Sequence, residues 1–438
     1  MEVNLQKVYE IYHKWLYLEH DERVDIVLAA ALSHTADPKS SPLWLFLIGR
    51  SGDGKSEQIR AILSWKHSKM LSMLTPKTFV NGFPKVKDEI IFLNNSLLLT
   101  TDMSPMLTMN RDDKAEVFAQ LRDLYDGYIN KTFGTGKRCS YSNIFFTWIA
   151  GSTPLMDNQI IMNQSLGTRE LVFRIPEVND VTALKAKVRE SIKKKEVMRE
   201  ELSRVTSEFL DNRFYQVHEI TDDVYNVLST EAEYLSMMRA EAEVDAFTGE
   251  LFSDVSAEQP TRVLEQLIKL YHSLMSLDKD YSKERALRVI HQVVHGSSSQ
   301  KRIKVFEYMV KNKELEFTLS HIASMLKIGK KTAYRELNIL WNLGLVNRRI
   351  EEVSSFDGKY TGKENYFFSI DQNSFFVIQA LKKRDSTLNS FLYDKCVLCD
   401  APSPPFHLDD KGVCEICNSP AIEKNEEPFV KDEGVFDE

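Results

Sequence analysis

Apolar residues fall into two rhythms along this chain. Between about residues 43 and 175, four short unbroken runs stand out: LWLFLIG from Leu43, SLLLTT from Ser96, NIFFTWIAG from Asn143 and ELVFRI from Glu170. Runs of this length with no polar alternation predict strands buried on both faces. The charged stretches between them have helical spacing, so the region predicts βαβ units around a mainly parallel sheet. Before it, Val8, Ile11, Trp15 and Leu16 recur at helical spacing, and a second amphipathic stretch, VDIVLAAALSHTA, ends at the breaker DPKSSP. After Pro176 the strand pattern stops. Residues 180–297 read as helices apart from a breaker-rich insert, AFTGELFSDVSAEQP. Residues 302–370 read as three helices and a strand pair, and a short helix is expected near 375–393.

A length of 438 residues predicts two to four domains, at roughly 100–200 residues per domain. With 43% hydrophobic and 27% charged residues the composition is that of a folded globular protein. The longest apolar runs, Leu43–Ile48 and Ile144–Ala150, are far short of the roughly 20 residues a bilayer helix needs, and the first 25 residues lack the apolar core of a secretory signal. No membrane association and a cytoplasmic location are therefore expected. Net charge is −8, but it is segregated: residues 301–363 carry 13 basic and 7 acidic side chains, residues 418–438 carry 2 and 7.

The strongest motif is LFLIGRSGDGKS, Leu45 to Ser56, in which Gly49, four residues, Gly54, Lys55 and Ser56 match a phosphate-binding loop. A strand precedes it and the helical stretch EQIRAILSW follows, as the motif requires. Gly49, Gly52, Asp53, Gly54, Lys55, Ser56 and Glu57 are the expected nucleotide contacts. Backbone N–H groups and the helix amino end would wrap the phosphates, Lys55 would reach the β- and γ-phosphates, and the Ser56 hydroxyl would ligate Mg²⁺. ATP and Mg²⁺ are thus expected, against the plainer reading of a glycine loop without a ligand. Asp102, at the end of SLLLTTD, is the candidate acid for the metal or the attacking water, and a helix cap is its alternative role. Arg169 is a candidate for stabilising transferring phosphate across a subunit boundary; Arg174, inside an apolar strand, reads as a structural ion-pair partner.

YINKTFGTGKRCSYSN predicts a hairpin around Gly134-Thr135-Gly136, carrying Lys131, Lys137 and Arg138. Cys139 reads as a buried thiol with no activating base nearby in sequence. In the basic region, IKVFEYMVKN, LSHIASMLK capped by Thr318, and KKTAYRELNILWNLG followed by VNRRI and YFFSI suggest a winged helix. Lys330, Lys331, Thr332, Tyr334 and Arg335 would then contact DNA, chiefly phosphate, with Lys359 and Lys363 on the wing. Leu337, Leu340, Trp341 and Leu345 are expected in its core. Two C-x-x-C pairs, Cys396/Cys399 and Cys414/Cys417, lie 14 residues apart, a spacing suited to a closed structural Zn²⁺ site. His407 is an outside candidate ligand, and a redox pair the alternative. The acidic end, with Phe436 among its charges, is a candidate for docking a protein partner.

These features together resemble the AAA+ ATPases, and more narrowly the replicative-helicase-like ATPases of phages and mobile elements, over about residues 25–300. VDIVLAAALSHTADPKSSPLWLFLIGRSGDGKSEQIRAI resembles the opening of such proteins, and LRDLYDGYINKTFGTGKRCSYSNIFFTWIAGSTP with SLGTRELVFRIPE resembles their central segment. PTRVLEQLIKLYHSLMSL is similar to the lid helix of minichromosome-maintenance helicases, in which an Arg in the position of Arg262 contacts the γ-phosphate. The resemblance implies Thr153 or Ser152 as water-positioning residue, where Asn is usual, and a hairpin that tracks single-stranded or forked DNA in the channel of a ring, usually a hexamer. The tandem acidic pair expected after the second strand is missing. The implied fold is α/β: a helical lead-in (1–40), an AAA+ P-loop core with parallel sheet (41–178), a helical lid (179–300), a winged helix (301–370), a linker helix (371–393), a four-cysteine zinc knuckle (394–418) and an acidic tail (419–438). The implied function is an ATP-driven DNA helicase. A replication initiator or helicase loader that uses ATP as a switch, and a regulatory or defence ATPase that holds a protein partner, are the competing readings.

Overall fold

The computed structural model describes residues 3–37, 40–157, 169–242, 257–313, 315–354 and 360–374, with shorter pieces at 251, 254–255, 377, 394–395 and 402–403. The chain divides into two compact units, Met1–Leu381 and Lys382–Glu438.

The first unit opens with helix α1 (Leu5–Trp15), capped by Asn4 Oδ1 accepting from Lys7 N at 2.9 Å, and with α2 (Glu22–Leu32), buried along most of its length. Strand β1 (Trp44–Ile48) feeds α3 (Lys55–Ala61). Next come β2 (Ser68–Met70), the short helix α4 (Ile90–Leu93), β3 (Ser96–Thr100), the short helix α5 (Ser104–Leu107) and α6 (Arg111–Tyr125). A hairpin of β4 (Tyr128–Thr132) and β5 (Arg138–Ser142) precedes β6 (Phe146–Ser152) and β7 (Glu170–Arg174). Five strands form one sheet in the order β2-β3-β6-β1-β7, and every pairing in it is parallel.

Every residue of β1, β3 and β6 is buried, because helices and loops cover both faces of the sheet. The strand period of two divides these residues between two cores. Leu45, Leu47, Leu97, Leu99, Ile149, Leu171 and Phe173 face a cluster built with α1, α2, α3 and the later helices. Trp44, Phe46, Ile48, Leu98, Phe146, Trp148 and Val172 face a second cluster built from residues 74–129.

Helices α7 (Val181–Ile192), α8 (Lys195–Asp211), α9 (Asp222–Met238), α10 (Thr261–Met275) and α11 (Lys283–Ser297) follow, as their pattern predicts. Helix α11 lies along β7, where Val172 N donates to Ser297 Oγ at 2.7 Å. A buried carboxylate, Asp25, ties α2 to α1 and α11. It accepts from the hydroxyl of Tyr9, from Tyr281 Oη at 2.6 Å and from Arg285 Nε at 2.7 Å.

The basic region forms α12 (Gln300–Lys311), β8 (Phe317–Thr318), α13 (Leu319–Met325), α14 (Lys330–Asn342), β9 (Val346–Ser354) and β10 (Tyr360–Ile370), with a sheet ordered β8-β10-β9. Thr318 caps α13 as expected, its Oγ1 accepting from His321 N at 3.2 Å. Leu337, Leu340 and Leu345 are core, but Trp341 is not: it is 38% exposed, and the Arg348 guanidinium covers its ring at 3.6 Å. The apolar spacing that places Trp341 inside is met by a cation stacked on the ring rather than by the helix interior. In the second unit the described residues form one short antiparallel pair, β11 (Asp394–Lys395) with β12 (Pro402–Ser403). Cys396, Cys399, Cys414, Cys417, His407, Lys359 and the acidic tail lie outside the described residues, as does the side chain of Lys363.

Candidate active site

The loop from Gly49 to Gly54 joins the carboxyl end of β1 to the amino end of α3. Gly52 has φ +94° and Gly54 φ +77°, left-handed conformations that favour glycine. Gly54 in that conformation is the N-cap of α3, so the helix starts within the loop, with Lys55 as its first residue. Lys55 folds back over the loop: its Nζ donates to the carbonyls of Gly49 at 2.8 Å and Arg50 at 2.6 Å. Burial lowers the Lys55 ammonium below its ordinary range; Asp53 and Asp102 act against that, and Arg23 adds to it. A lysine held this way, beside a turn rich in N–H groups, is suited to an anion.

Arg23 is a residue that the motif does not reveal. It is buried on α2, and its guanidinium donates to the Asp53 carbonyl at 2.5 Å and to Gln58 on α3 at 2.5 Å. Burial pushes it down to about 10, with Asp53 and Tyr12 pulling the other way. Arg23 thus fixes the outer turn of the loop to a helix 30 residues upstream. Asp53 and Glu57 occupy different settings. Asp53 packs on Gly49, whereas Glu57 makes a two-pronged ion pair with Arg199 of α8, at 2.8 and 2.6 Å, that holds its carboxyl below the usual range.

The carboxyl ends of β3 and β6 flank the loop, because the sheet is parallel and β6 pairs with β1. Ser56 Oγ lies 3.5 Å from the Thr101 carbonyl. Asp102 follows immediately, and its Oδ1 accepts from Ser104 N at 2.9 Å in a local turn ahead of α5, whose N-cap is Met103. Asp102 is therefore not the helix cap that its alternative reading expects, and its charge acts on the Lys55 ammonium. At the end of β6, Ser152 Oγ and Thr153 Oγ1 are buried with no hydrogen-bond partner among the described residues. Unsatisfied hydroxyls next to a phosphate-type loop fit a site built for a polar ligand or a bound water. A Mg²⁺-nucleotide suits this donor set: loop N–H groups and Lys55 for phosphate, and Ser56 and Asp102 for the metal.

Arg169 and Arg262 lie elsewhere. Trp44 pairs with Glu170 and Ile48 with Arg174, so Arg169 stands at the end of the sheet opposite the loop, about 20 Å from Gly49 along the strand direction alone. Its guanidinium pairs with Asp126 at 2.9 Å and lies over Tyr125, 5.9 Å from the ring centroid. Gln266 of α10 bonds both the Arg169 carbonyl (2.6 Å) and Tyr125 Oη (2.8 Å), which brings the start of α10, with Arg262, to the same patch. Arg262 lies 4.0 Å from Glu258, and buried Arg239 joins the cluster by donating to the Glu170 carbonyl at 2.6 Å. Arg174, by contrast, is at the loop end and makes a two-pronged pair with Asp157 at 2.6 and 3.1 Å, as its strand position predicts.

The hairpin forms where expected, but two of its three cations are turned to internal partners. Lys131 pairs with Glu116 and also donates to the Pro76 carbonyl at 3.2 Å; Lys137 pairs with buried Asp88 at 2.9 Å. Arg138 is exposed. Asp88 is a second residue without a sequence signal. Besides Lys137, it accepts from Asn81 N and Nδ2 (both 2.8 Å), Tyr141 Oη (2.7 Å) and Cys139 Sγ (3.1 Å). Burial raises its carboxyl, but these donors outweigh burial and hold it at about 2.

On α14, Lys330 and Lys331 are exposed at the first turn, and Tyr334 is half-buried beside Tyr366. Arg335 pairs with Glu336, itself fully buried and bonded to Arg302 at 3.1 Å. No group of three or more His, Cys, Asp or Glu among the described residues is arranged to hold a metal ion, and no helix among them is long and apolar enough to cross a membrane.

No family model and no curated protein sequence matches the chain. Among solved structures it is similar to one described as the active helicase Cch of SCCmec type IV, at 11% identity and TM-score 0.36, over 86% of this chain and 72% of that one. Two apo structures of the NrS-1 C-terminal region are similar at 12% and 11% identity, each with TM-score 0.27, over 85% of this chain and 77% and 76% of theirs.

Proposed function

We propose that this chain is an ATP-hydrolysing, DNA-handling protein that works as a ring of identical subunits, a replicative helicase of the kind phages and mobile elements carry. The observation that carries this reading is the separation of the two halves of the site along one parallel sheet. The phosphate loop with Lys55 leaves the carboxyl end of β1, while Arg169 and Arg262 gather at the amino end of β7. Those arginines are out of reach of the nucleotide in their own chain, and a head-to-tail neighbour would present them to it.

In this reading the loop N–H groups and Lys55 bind the phosphates, and the unsatisfied Ser152 and Thr153 hydroxyls hold the attacking water in line. Ser56 and Asp102 would hold Mg²⁺, which would neutralise charge on the phosphate oxygens when bound. The partner's Arg169 and Arg262 stabilise charge on the group in transfer. The arrangement of α12, β8, α13, α14 and the β9–β10 pair supports a winged helix. Its exposed Lys330 and Lys331 would meet the DNA backbone. A zinc knuckle held by the four cysteines after residue 394 belongs to the same reading.

A second reading, an ATP switch that loads or initiates without translocating, is favoured by the single acid Asp102, one oxygen of which is taken up by Ser104 N. ATPase rates with and without single-stranded DNA test the proposal. Stimulation by DNA, lost in Lys55→Ala, is expected. A Lys55→Ala rate equal to wild type would overturn the site assignment, and a slow rate indifferent to DNA would favour the switch.

A further inference from the structure

A buried glutamine joins the two arginines of the patch at the amino end of β7. Gln266 is 1% exposed, and its amide Nε2 donates to two acceptors from different parts of the chain. One is Tyr125 Oη at 2.8 Å, on the last residue of α6; the other is the Arg169 carbonyl at 2.6 Å, next to the first residue of β7. Both hydrogens of that nitrogen are thereby committed. The amide oxygen on the other side is buried and has no hydrogen-bond partner among the described residues. A buried acceptor left unpaired carries a stability cost, and each such group in a folded protein asks for a reason. The two donors on the same amide supply one.

Both acceptors support Arg169. Its guanidinium lies over the Tyr125 ring, 5.9 Å from the centroid, and pairs with Asp126, the next residue, at 2.9 Å. Tyr125 is itself wedged edge-on against Trp44 of β1, with ring centroids 5.1 Å apart. Arg262 precedes Gln266 by four residues on α10, one helical turn, and so shares its face of the helix. Burial raises the Tyr125 hydroxyl, and the Gln266 amide, Arg262 and Arg169 each act against it, so both cations lie within electrostatic reach of one oxygen. A single amide thus ties the helix that carries Arg262 to the strand end that carries Arg169. We infer that Gln266 is a positioning residue for the neighbouring subunit's site, fixing Arg169 and Arg262 relative to each other so that they meet the transferring phosphate as one unit. It acts through the two arginines. Charge stabilisation of this kind depends on donors placed before the reaction begins, and a displacement of about 1 Å can cost about 10²-fold in rate. The inference rests on the ring reading above and adds the residue that holds its arginines in place.

The test is steady-state ATPase kinetics of the full chain carrying Gln266→Met, which keeps the length of the side chain and removes both donors. Alone, this variant should lose about ten-fold or more in kcat with KM for ATP within about two-fold of wild type, because its own phosphate loop is untouched. Mixed with Lys55→Ala under conditions where subunits exchange, it should recover roughly a quarter of wild-type activity, the share of random interfaces at which an intact loop meets an intact patch. Mixed with Arg169→Ala it should stay as slow as the two variants alone, since both defects lie on the same side of the boundary. Recovery with Arg169→Ala but not with Lys55→Ala would place the effect of Gln266 in its own subunit and overturn the inference, as would an unchanged kcat. Tyr125→Phe keeps the ring under Arg169 and removes one acceptor of the amide; it should lose kcat to a smaller degree at unchanged KM, and it carries the same two mixtures where Gln266→Met does not assemble. Recovery in neither mixture, with Tyr125→Phe at the wild-type kcat, would reduce Gln266 to a structural residue. Failure of Lys55→Ala and Arg169→Ala to complement each other would overturn the ring reading, and this inference with it.

Discussion

Lys55 donates to the carbonyls of Gly49 and Arg50, contacts confined to its own loop. Lys55→Ala should therefore keep the fold, with a melting temperature close to wild type, and slow ATP hydrolysis by about 10²-fold or more. The motif made this residue legible, because glycine spacing and lysine position are local properties of a dozen residues. Arg23 and Asp88 were not legible. Each matters through partners distant in sequence, and no spacing rule connects Asp88 to Lys137, Cys139 and Tyr141 before the chain is folded. Asp88 also makes a pH prediction. Its folded carboxyl is held at about 2, below the unfolded value, so its contribution is present above the unfolded pKa and is lost as pH falls from about 4 to about 2. Asp88→Asn should remove on the order of 2 kcal/mol at neutral pH and blunt the acid limb of the stability curve, read by denaturant melts at about pH 3 and pH 7. An unchanged acid limb would show that the cluster does not stabilise the ionised form.

At the scale of elements, the sequence pattern succeeds where burial is two-sided. The four apolar runs are β1, β3, β6 and β7, since a strand covered on both faces has no polar alternation to lose. Strand β2 escaped because it is three residues long at the sheet edge, with Ser68 and Met70 half-buried and Lys69 exposed, and so shows no apolar run. Strand β8 escaped because it has two residues. Trp341 shows the converse failure, an apolar residue at core spacing whose ring is covered by Arg348 instead. The joint between helices is a buried ion pair that no pattern displays: Arg302, fully buried on α12, bonds Glu336 of α14 and the Met238 carbonyl at 3.0 Å at the end of α9. Breaking one member leaves the other charge buried, so Arg302→Met should cost about 3–5 kcal/mol. Arg302→Met with Glu336→Leu should recover part of that in denaturant melts, since the apolar pair removes the facing charges while Glu241, 3.2 Å from Arg302, and Arg335 lose a partner. A double variant no more stable than the single would mean that the backbone contacts of Arg302, not its charge, hold the joint.

For the molecule as a whole, register decides more than composition. The average charge of −8 said little, and the motif alone located only half of a site. Pairing Trp44 with Glu170 and Ile48 with Arg174 places the phosphate loop and the Arg169–Arg262 patch at opposite ends of one sheet. That relation was invisible in sequence, where strand order is unknown, and the proposed role of Arg169 across a subunit boundary rests on it. The most direct measurement is complementation between two variants, Lys55→Ala and Arg169→Ala, each assayed alone and after mixing under conditions where subunits exchange. The account predicts that each variant alone is nearly inactive. In the mixture, an intact phosphate loop meets an intact arginine at roughly a quarter of random interfaces, with ATPase activity restored to about that fraction of wild type. Co-assembled mixtures that stay inactive, or an Arg169→Ala protein that hydrolyses ATP at the full rate by itself, would contradict it.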